Sequence, residues 1–256
     1  MRLAVVGKGG AGKSVIAATL ARTLARRGHR VLALDSDPLP GLTYSLGADP
    51  PAAESPLLAA TERREDKRWH FVRGIGPARV VQRFSTTAPD GVRVLQLPKT
   101  TREGMAPVIG ATQAFYKTIH GLDRVVSLRD WVILGDLPAG PRQVAFEWAP
   151  YAQHFVLVVE PTWQSMLTSR RIARLVGASR PEARISLVVN KSTGPQDEEL
   201  VAGVLALPVL QAVPVDEGIR SAELAGVALL DHAPESAAVR AIERLAVDLE
   251  RSTVAV

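Results

Sequence analysis

Short apolar runs alternate with longer amphipathic stretches along the whole chain. The runs RLAVVG, RVLALD, VRVLQL, DWVILGD, HFVLVVE, RISLVVN and PVLQAVPV read as strands. Most are near-continuous in Val, Ile and Leu, the pattern of parallel strands covered on both faces. The stretches between them predict helices from Ser14 to Arg27, about Pro107 to Thr118, about Trp163 to Val176, Asp197 to Ala206, and Ser236 to Arg251. Such alternation implies an α/β fold with a doubly wound, mostly parallel sheet flanked by helices. Residues 50 to about 92 break the rhythm, being rich in Pro, Arg and Glu and containing ERREDKRWHFVRG. They predict an insertion: a surface helix or loop, then a hairpin whose turn is the Asp-Gly of APDGV.

Composition narrows the class. A chain of 256 residues, 46% hydrophobic, can bury a large core, and residues 1–256 are expected to form one domain. Without cysteine, the chain has no disulfides, thiolate metal ligands or cysteine nucleophiles. No apolar run approaches the ~18 residues of a membrane span. Met-Arg leads straight into a strand-like run, unlike a secretory signal, so a cytoplasmic setting is expected. The net charge of +5 permits binding to nucleic acid or anionic lipid without requiring it. The arginines of ARTLARRGHR and SRRIARL also read as solvated helix faces.

The chemistry begins at GKGGAGKS. Gly7, Gly12, Lys13 and Ser14 fit G-x-x-x-x-G-K-[ST] between a strand and a helix, a phosphate-binding loop. Gly9, Gly10 and Ala11 complete the loop, whose N–H groups must turn inward through backbone angles that a Cβ obstructs. The following helix adds its N-terminal dipole. In this reading Lys13 contacts the β- and γ-phosphates and Ser14 sets its hydroxyl on Mg²⁺. A glycine-rich structural turn is the plain alternative. Lys8 is a second lysine that such a loop does not need. Asp35 and Asp37 end one predicted strand and Asp136 ends another, so their carboxylates converge on the crevice at the sheet's C-terminal edge. There they can hold Mg²⁺ through its waters or orient an attacking water, although aspartates at strand ends also serve as turn and cap residues. Asn190-Lys191 ends a further strand, with Thr193 where guanine recognition would need a carboxylate. ATP is favoured over GTP.

KGGxGK[ST] resembles the deviant phosphate loop of the MinD/ParA/ArsA/nitrogenase-iron-protein class of ATPases. The resemblance implies two subunits facing each other across two nucleotides, with Lys8 reaching the neighbour's phosphates like an arginine finger. It implies that Asp37 activates water, that Asp136 stands in the metal's second shell and heads a switch segment, and that Asp35 supports either. It implies that Asn190 bonds the adenine edge, as Asn does when reading adenine in DNA. Pro214 and Asp216 in AVPVDEGIRSAELAG correspond to the turn that wraps the base.

The CooC-like branch, whose members assist nickel insertion into carbon monoxide dehydrogenase, is the nearest likeness. It covers nearly the whole chain through GKGGAGKS, DSDP, VVEPTWQSMLTSRRIARL, VVNK and VPVDEGIRSAELAGVALL. The branch's Cys-x-Cys metal site is missing: in REGMAPVIGA, Gly104 and Ala106 stand before Pro107. His29, His70, His120, His154 and His232 make no metal-binding pair. The expectation is a slow, ATP-dependent homodimer with Mg²⁺, acting on a client protein, with no transition metal at a Cys-x-Cys site. The helix bearing Phe115 and Tyr116 reads either as a client or dimer face or as core. The alternative is a positioning ATPase whose ATP dimer sits on DNA, through Arg170, Arg171 and Arg174, or on membrane. The last helix has an apolar face at Val239, Ile242, Leu245 and Leu249 but carries acids among its arginines, so packing on the sheet is favoured over membrane binding. A third reading is a nucleotide-bound scaffold that barely hydrolyses.

Overall fold

A computed structural model describes residues 1–37, 39, 41–49, 56–98, 105–145 and 147–254. The strands are β1 (Arg2–Gly7), β2 (Val31–Asp35), β3 (Thr61–Arg63), β4 (Trp69–Phe71), β5 (Thr86–Thr87), β6 (Arg93–Gln96), β7 (Val132–Asp136), β8 (His154–Val159), β9 (Arg184–Ser192) and β10 (Val209–Pro214). The main sheet has the order β10-β9-β8-β1-β7-β2-β6-β5. Every pairing in it is parallel except that of β5 with β6. All the apolar runs read as strands are strands of this sheet.

The helices are α1 (Lys13–Arg26), α2 (Gly41–Ser45), α3 (Pro77–Phe84), α4 (Met105–Gly121), α5 (Arg142–Ala145), α6 (Trp163–Ser179), α7 (Pro195–Leu205), α8 (Glu217–Ala225), α9 (Leu229–His232) and α10 (Ala237–Val254). Successive strand residues serve opposite faces. Leu3 and Val5 pack with Ile16, Leu20 and Leu24 of α1 and with α10. Ala4 and Val6 pack with Phe115 of α4, Ile172 of α6 and Val201 of α7. Val239, Ile242, Leu245 and Leu249 of α10 are almost wholly buried. That apolar face therefore covers the sheet and is not free for a bilayer. Among the described residues no helix is long and apolar enough to cross a membrane.

The insertion is more ordered than its composition suggests. The predicted turn exists: Thr86 and Thr87 pair antiparallel with Val94 and Arg93 around Asp90-Gly91. It adds an edge strand to the main sheet. ERREDKRWHFVRG forms a second small hairpin, β3 with β4, where a surface helix or loop was expected. Trp69 of β4 lies against Gly110 of α4, where an added Cβ would come within 2.7 Å of the indole. Phe115 is fully buried and stacks edge-on with Tyr116, which in turn meets Trp148. At Phe115 the core reading of α4 holds and the client-face reading does not. Gly104 lies outside the described residues, and α4 begins at Met105.

Candidate functional site

β1 is buried along its length and delivers the chain to Gly7 at the sheet's C-terminal edge. A Cβ on Gly7 would stand 2.4 Å from the Val158 carbonyl oxygen, and one on Gly12 would stand 2.2 Å from Asn190 Nδ2. Gly10 and Gly12 also have φ of 81° and 85°, angles that side chains resist. Gly9 is exposed, and Ala11 is fully buried beneath the loop. No side chain caps α1 and its first turn holds no acid, so the loop and the open helix N-terminus present N–H groups suited to an anion.

Lys13 is buried, and its Nζ donates to the Lys8 carbonyl at 3.2 Å. Burial lowers its pKa, while Asp136 and Asp37 pull it back up. The Lys8 ammonium makes no hydrogen bond or ion pair with any described residue.

The carboxylates of Asp35 and Asp136 sit side by side on β2 and β7, and the amide of Gln96 on β6 is in register with Asp35 on its other side. Ser14 Oγ donates to Asp136 Oδ2 at 2.6 Å. Burial pushes Asp136 up to about 7, with Ser14 opposing and Asp35 reinforcing the rise. Asp35 Oδ2 accepts from Thr43 N at 2.9 Å and Thr43 Oγ1 at 2.7 Å. Burial pushes Asp35 up to about 6 despite those bonds. Asp37 is half-buried and accepts from the Leu39 N–H. Asp35 Oδ1, Asp136 Oδ1, the Ser36 hydroxyl and Gln96 Nε2 are buried with no partner among the described residues. Unpartnered buried polar atoms cost roughly 1–3 kcal/mol each, so a cluster of them beside a phosphate loop marks a place built for something else. Two buried carboxylates and a hydroxyl fit a Mg²⁺ ion that keeps most of its water.

The opposite wall comes from β9 and β10. Asn190 Nδ2 donates to the Ala11 carbonyl at 2.8 Å, and its Oδ1 is buried without a partner among the described residues. Asn190 thus clamps the loop, leaving its oxygen as a spare acceptor. Lys191, at φ 59°, donates to Gly10 O at 3.0 Å and pairs with Glu160. Asp216 caps α8 through the Gly218 N–H at 2.7 Å and also accepts from the Ala238 N–H at 2.8 Å, so both its oxygens are committed to backbone.

One cavity of about 410 Å³ joins Gly10, Gly12, Lys13 and Ser14 to Asn190, Lys191, Pro214 and Asp216. Lys8, Asp35, Asp37 and Asp136 are not on its wall; the last is tied to the cavity through Ser14. The same cavity is lined by Val215, Ile219, Arg220 and Glu223, which sequence reasoning missed. The spacing of Ile219, Arg220 and Glu223 along EGIRSAELAG was the available signal, because Glu223 lies four residues after Ile219 and three after Arg220, and such pairs are neighbours on a helix.

A parallel sheet, a glycine loop opening a helix and strand-end carboxylates define the P-loop nucleotide-binding class. Residues 3–230 match the CobQ/CobB/MinD/ParA nucleotide binding domain family, and the chain belongs to it. It is 29% identical over 248 residues to the carbon monoxide dehydrogenase accessory protein CooC of Rhodospirillum rubrum, covering 91% of each chain. An uncharacterised ATP-binding protein of Methanocaldococcus jannaschii is 26% identical over 239 residues, covering 88% of this chain and 90% of its own. The septum site-determining protein MinD of Pyrococcus horikoshii, solved with Mg-ADP, superposes with a TM-score of 0.71 at 22% identity, covering 98% and 96%. The chain is thus a MinD/ParA-class protein with a CooC-like relative, in a class that binds and hydrolyses ATP.

Proposed function

We propose that residues 1–256 form one cytoplasmic ATPase domain that closes as a homodimer around ATP–Mg²⁺ and acts in the closed state on a client protein. The observation that carries this is the pairing of a complete phosphate loop with a Lys8 ammonium that has no partner among the described residues of its own chain. The loop N–H groups and Lys13 bind the phosphate chain of ATP. Ser14 and Asp136, with Asp35 behind them, hold Mg²⁺, which when bound offsets negative charge on the phosphates. Asp37 orients the attacking water. Asn190 keeps the loop in shape and turns its free Oδ1 toward the base, beside Pro214 and the α8 turn that Asp216 holds. Lys8 crosses to the partner's phosphates, so hydrolysis requires the dimer and is slow without it.

The client role draws on the likeness to a protein named as an accessory to carbon monoxide dehydrogenase. Metal delivery through thiolates is not part of the proposal, because the chain has no cysteine. A positioning role on DNA is the second reading, favoured by Arg170, Arg171 and Arg174, which are all exposed on α6 and make no ion pair with described residues. Retention on DNA that needs ATP and falls steeply with salt would select it.

The test is solution mass by light scattering with ADP and with ATP–Mg²⁺. ATP is expected to double the mass of the wild type and to leave Lys8→Ala monomeric while it still binds nucleotide. A wild-type mass that ignores ATP overturns the dimer switch.

A further inference from the structure

A second cavity, of about 590 Å³, lies in the groove between α1 and α10. It belongs to the far end of α1, about 20 Å from the phosphate loop at 1.5 Å per helical residue. Arg26 at the end of α1 and Arg27 just after it line the cavity on one side, and Arg240, Arg244 and Arg251 of α10 on the other. Glu243 and Asp248 are the acids on its wall, so cations outnumber anions.

The arginines are partly set in place. Asp90 holds Arg26 at 3.0 Å and Glu250 holds Arg27 at 2.6 Å. Arg240 donates to the Glu235 carbonyl, and Arg251 lies 3.7 Å from Asp248. Arg244 has no partner among the described residues. A second observation concerns the wall itself. Thr23 lines the cavity yet is only 5% exposed, and its Oγ1 has no hydrogen-bond partner among the described residues. Threonine hydroxyls inside helices ordinarily satisfy themselves on the carbonyl one turn back. This one does not, so the groove has an unused donor beneath several guanidinium forks.

We propose that this groove is a binding site for a compact chain of linked phosphates, separate from the nucleotide cavity. Planar guanidinium groups match phosphate oxygens two at a time, and several of them converging on one cavity match a ligand with charge on adjacent groups. The groove is open to solvent, and its volume of about 590 Å³ is the size of a small soluble polyanion. The Thr23 hydroxyl then donates to a phosphate oxygen. The site has no bearing on whether ATP is hydrolysed, because none of its residues touches the loop.

The probe is inorganic tripolyphosphate, titrated calorimetrically into the full chain. Two binding events are expected in the wild type. Lys13→Ala should retain only the arginine event. Arg240→Ala with Arg244→Ala should retain the loop event and weaken the other by about a hundredfold, as the loss of two charge-assisted bonds implies. These arginines are solvent-exposed, and circular dichroism confirms that the variant folds. Thr23→Val, nearly isosteric, should weaken the same event by about tenfold. A single event abolished by Lys13→Ala overturns the proposal, as does a second event that survives the double arginine substitution. Sedimentation with phosphatidylglycerol vesicles without tripolyphosphate binding also overturns it, by assigning the arginines to a lipid surface.

Discussion

The two ends of α1 each hold a buried cation, and the protein treats them in opposite ways. Arg22 is only 2% exposed and fully matched: Asp90 accepts at 2.6 Å, and Asp231 accepts two bonds at 2.6 and 2.7 Å. Nine residues earlier, Lys13 has a carbonyl for a partner, while Asp136 Oδ1 and Asp35 Oδ1 stay unmatched nearby. The Arg22 cluster ties α1 to the β5–β6 turn and to α9, and its polar atoms serve one another. The Lys13 cluster is left incomplete at a cost to stability. In the proposed function this incompleteness is where the ligand goes, because the missing partners are those a phosphate chain and a hydrated cation would supply.

The contrast breaks most visibly at Lys13. Lys13→Ala should reduce ATP turnover by a factor of at least about 100 while leaving the melting temperature of the ligand-free protein nearly unchanged. Arg22→Ala should do the reverse. It leaves Asp231 without its guanidinium partner and Asp90 with Arg26 alone, and is expected to cost about 3 kcal/mol, read by urea unfolding, with nucleotide affinity retained at low denaturant. Loss of nucleotide binding in folded Arg22→Ala would merge what is here kept apart.

Asp136 sharpens the comparison through pH. Its folded pKa of about 7 stands above its ordinary 3.8, so the folded state holds a proton that the unfolded chain releases. Ligand-free stability should therefore fall as pH rises from about 4 to about 7 and level off above that. Asp136→Asn should flatten this slope and raise ligand-free stability at pH 8 by roughly 2 kcal/mol, while abolishing Mg²⁺-dependent turnover. A slope that persists unchanged in the variant would assign it to other groups. The smallest effect is expected at Thr43, whose N–H and hydroxyl hold Asp35. Thr43→Val should cost about 1 kcal/mol, seen in the melting temperature, with a modest loss of turnover.

Much of this was legible in the sequence because it is local. The apolar runs announced the strands of the main sheet, and the loop's glycines stand where a Cβ would strike Val158 or Asn190. The helix ends were less legible: α4 runs from Met105 to Gly121, beyond the predicted 107–118, since periodicity marks the middle of a helix better than its ends. The β3–β4 hairpin was hidden because its strands are three residues each and pack on α4, not on the main sheet. The Arg22 cluster could not be read, since Asp90 and Asp231 lie 68 and 209 positions away. The clamp from Asn190 to Ala11 spans 179. Spacing identifies residue types suited to a chemistry, but which oxygen is left over is decided by packing.

Thermal melting with and without ATP–Mg²⁺, on the wild type, Lys13→Ala and Arg22→Ala side by side, tests the central claim most directly. At a hundredfold excess over the dissociation constant, binding adds about 2.7 kcal/mol to the folded state, worth a rise of roughly 5 °C or more in a chain of this size. The account predicts that rise in the wild type, the same rise from a lower start in Arg22→Ala, and none in Lys13→Ala. A wild-type melting temperature that ATP–Mg²⁺ does not move, or a Lys13→Ala protein that it still stabilises, would contradict it.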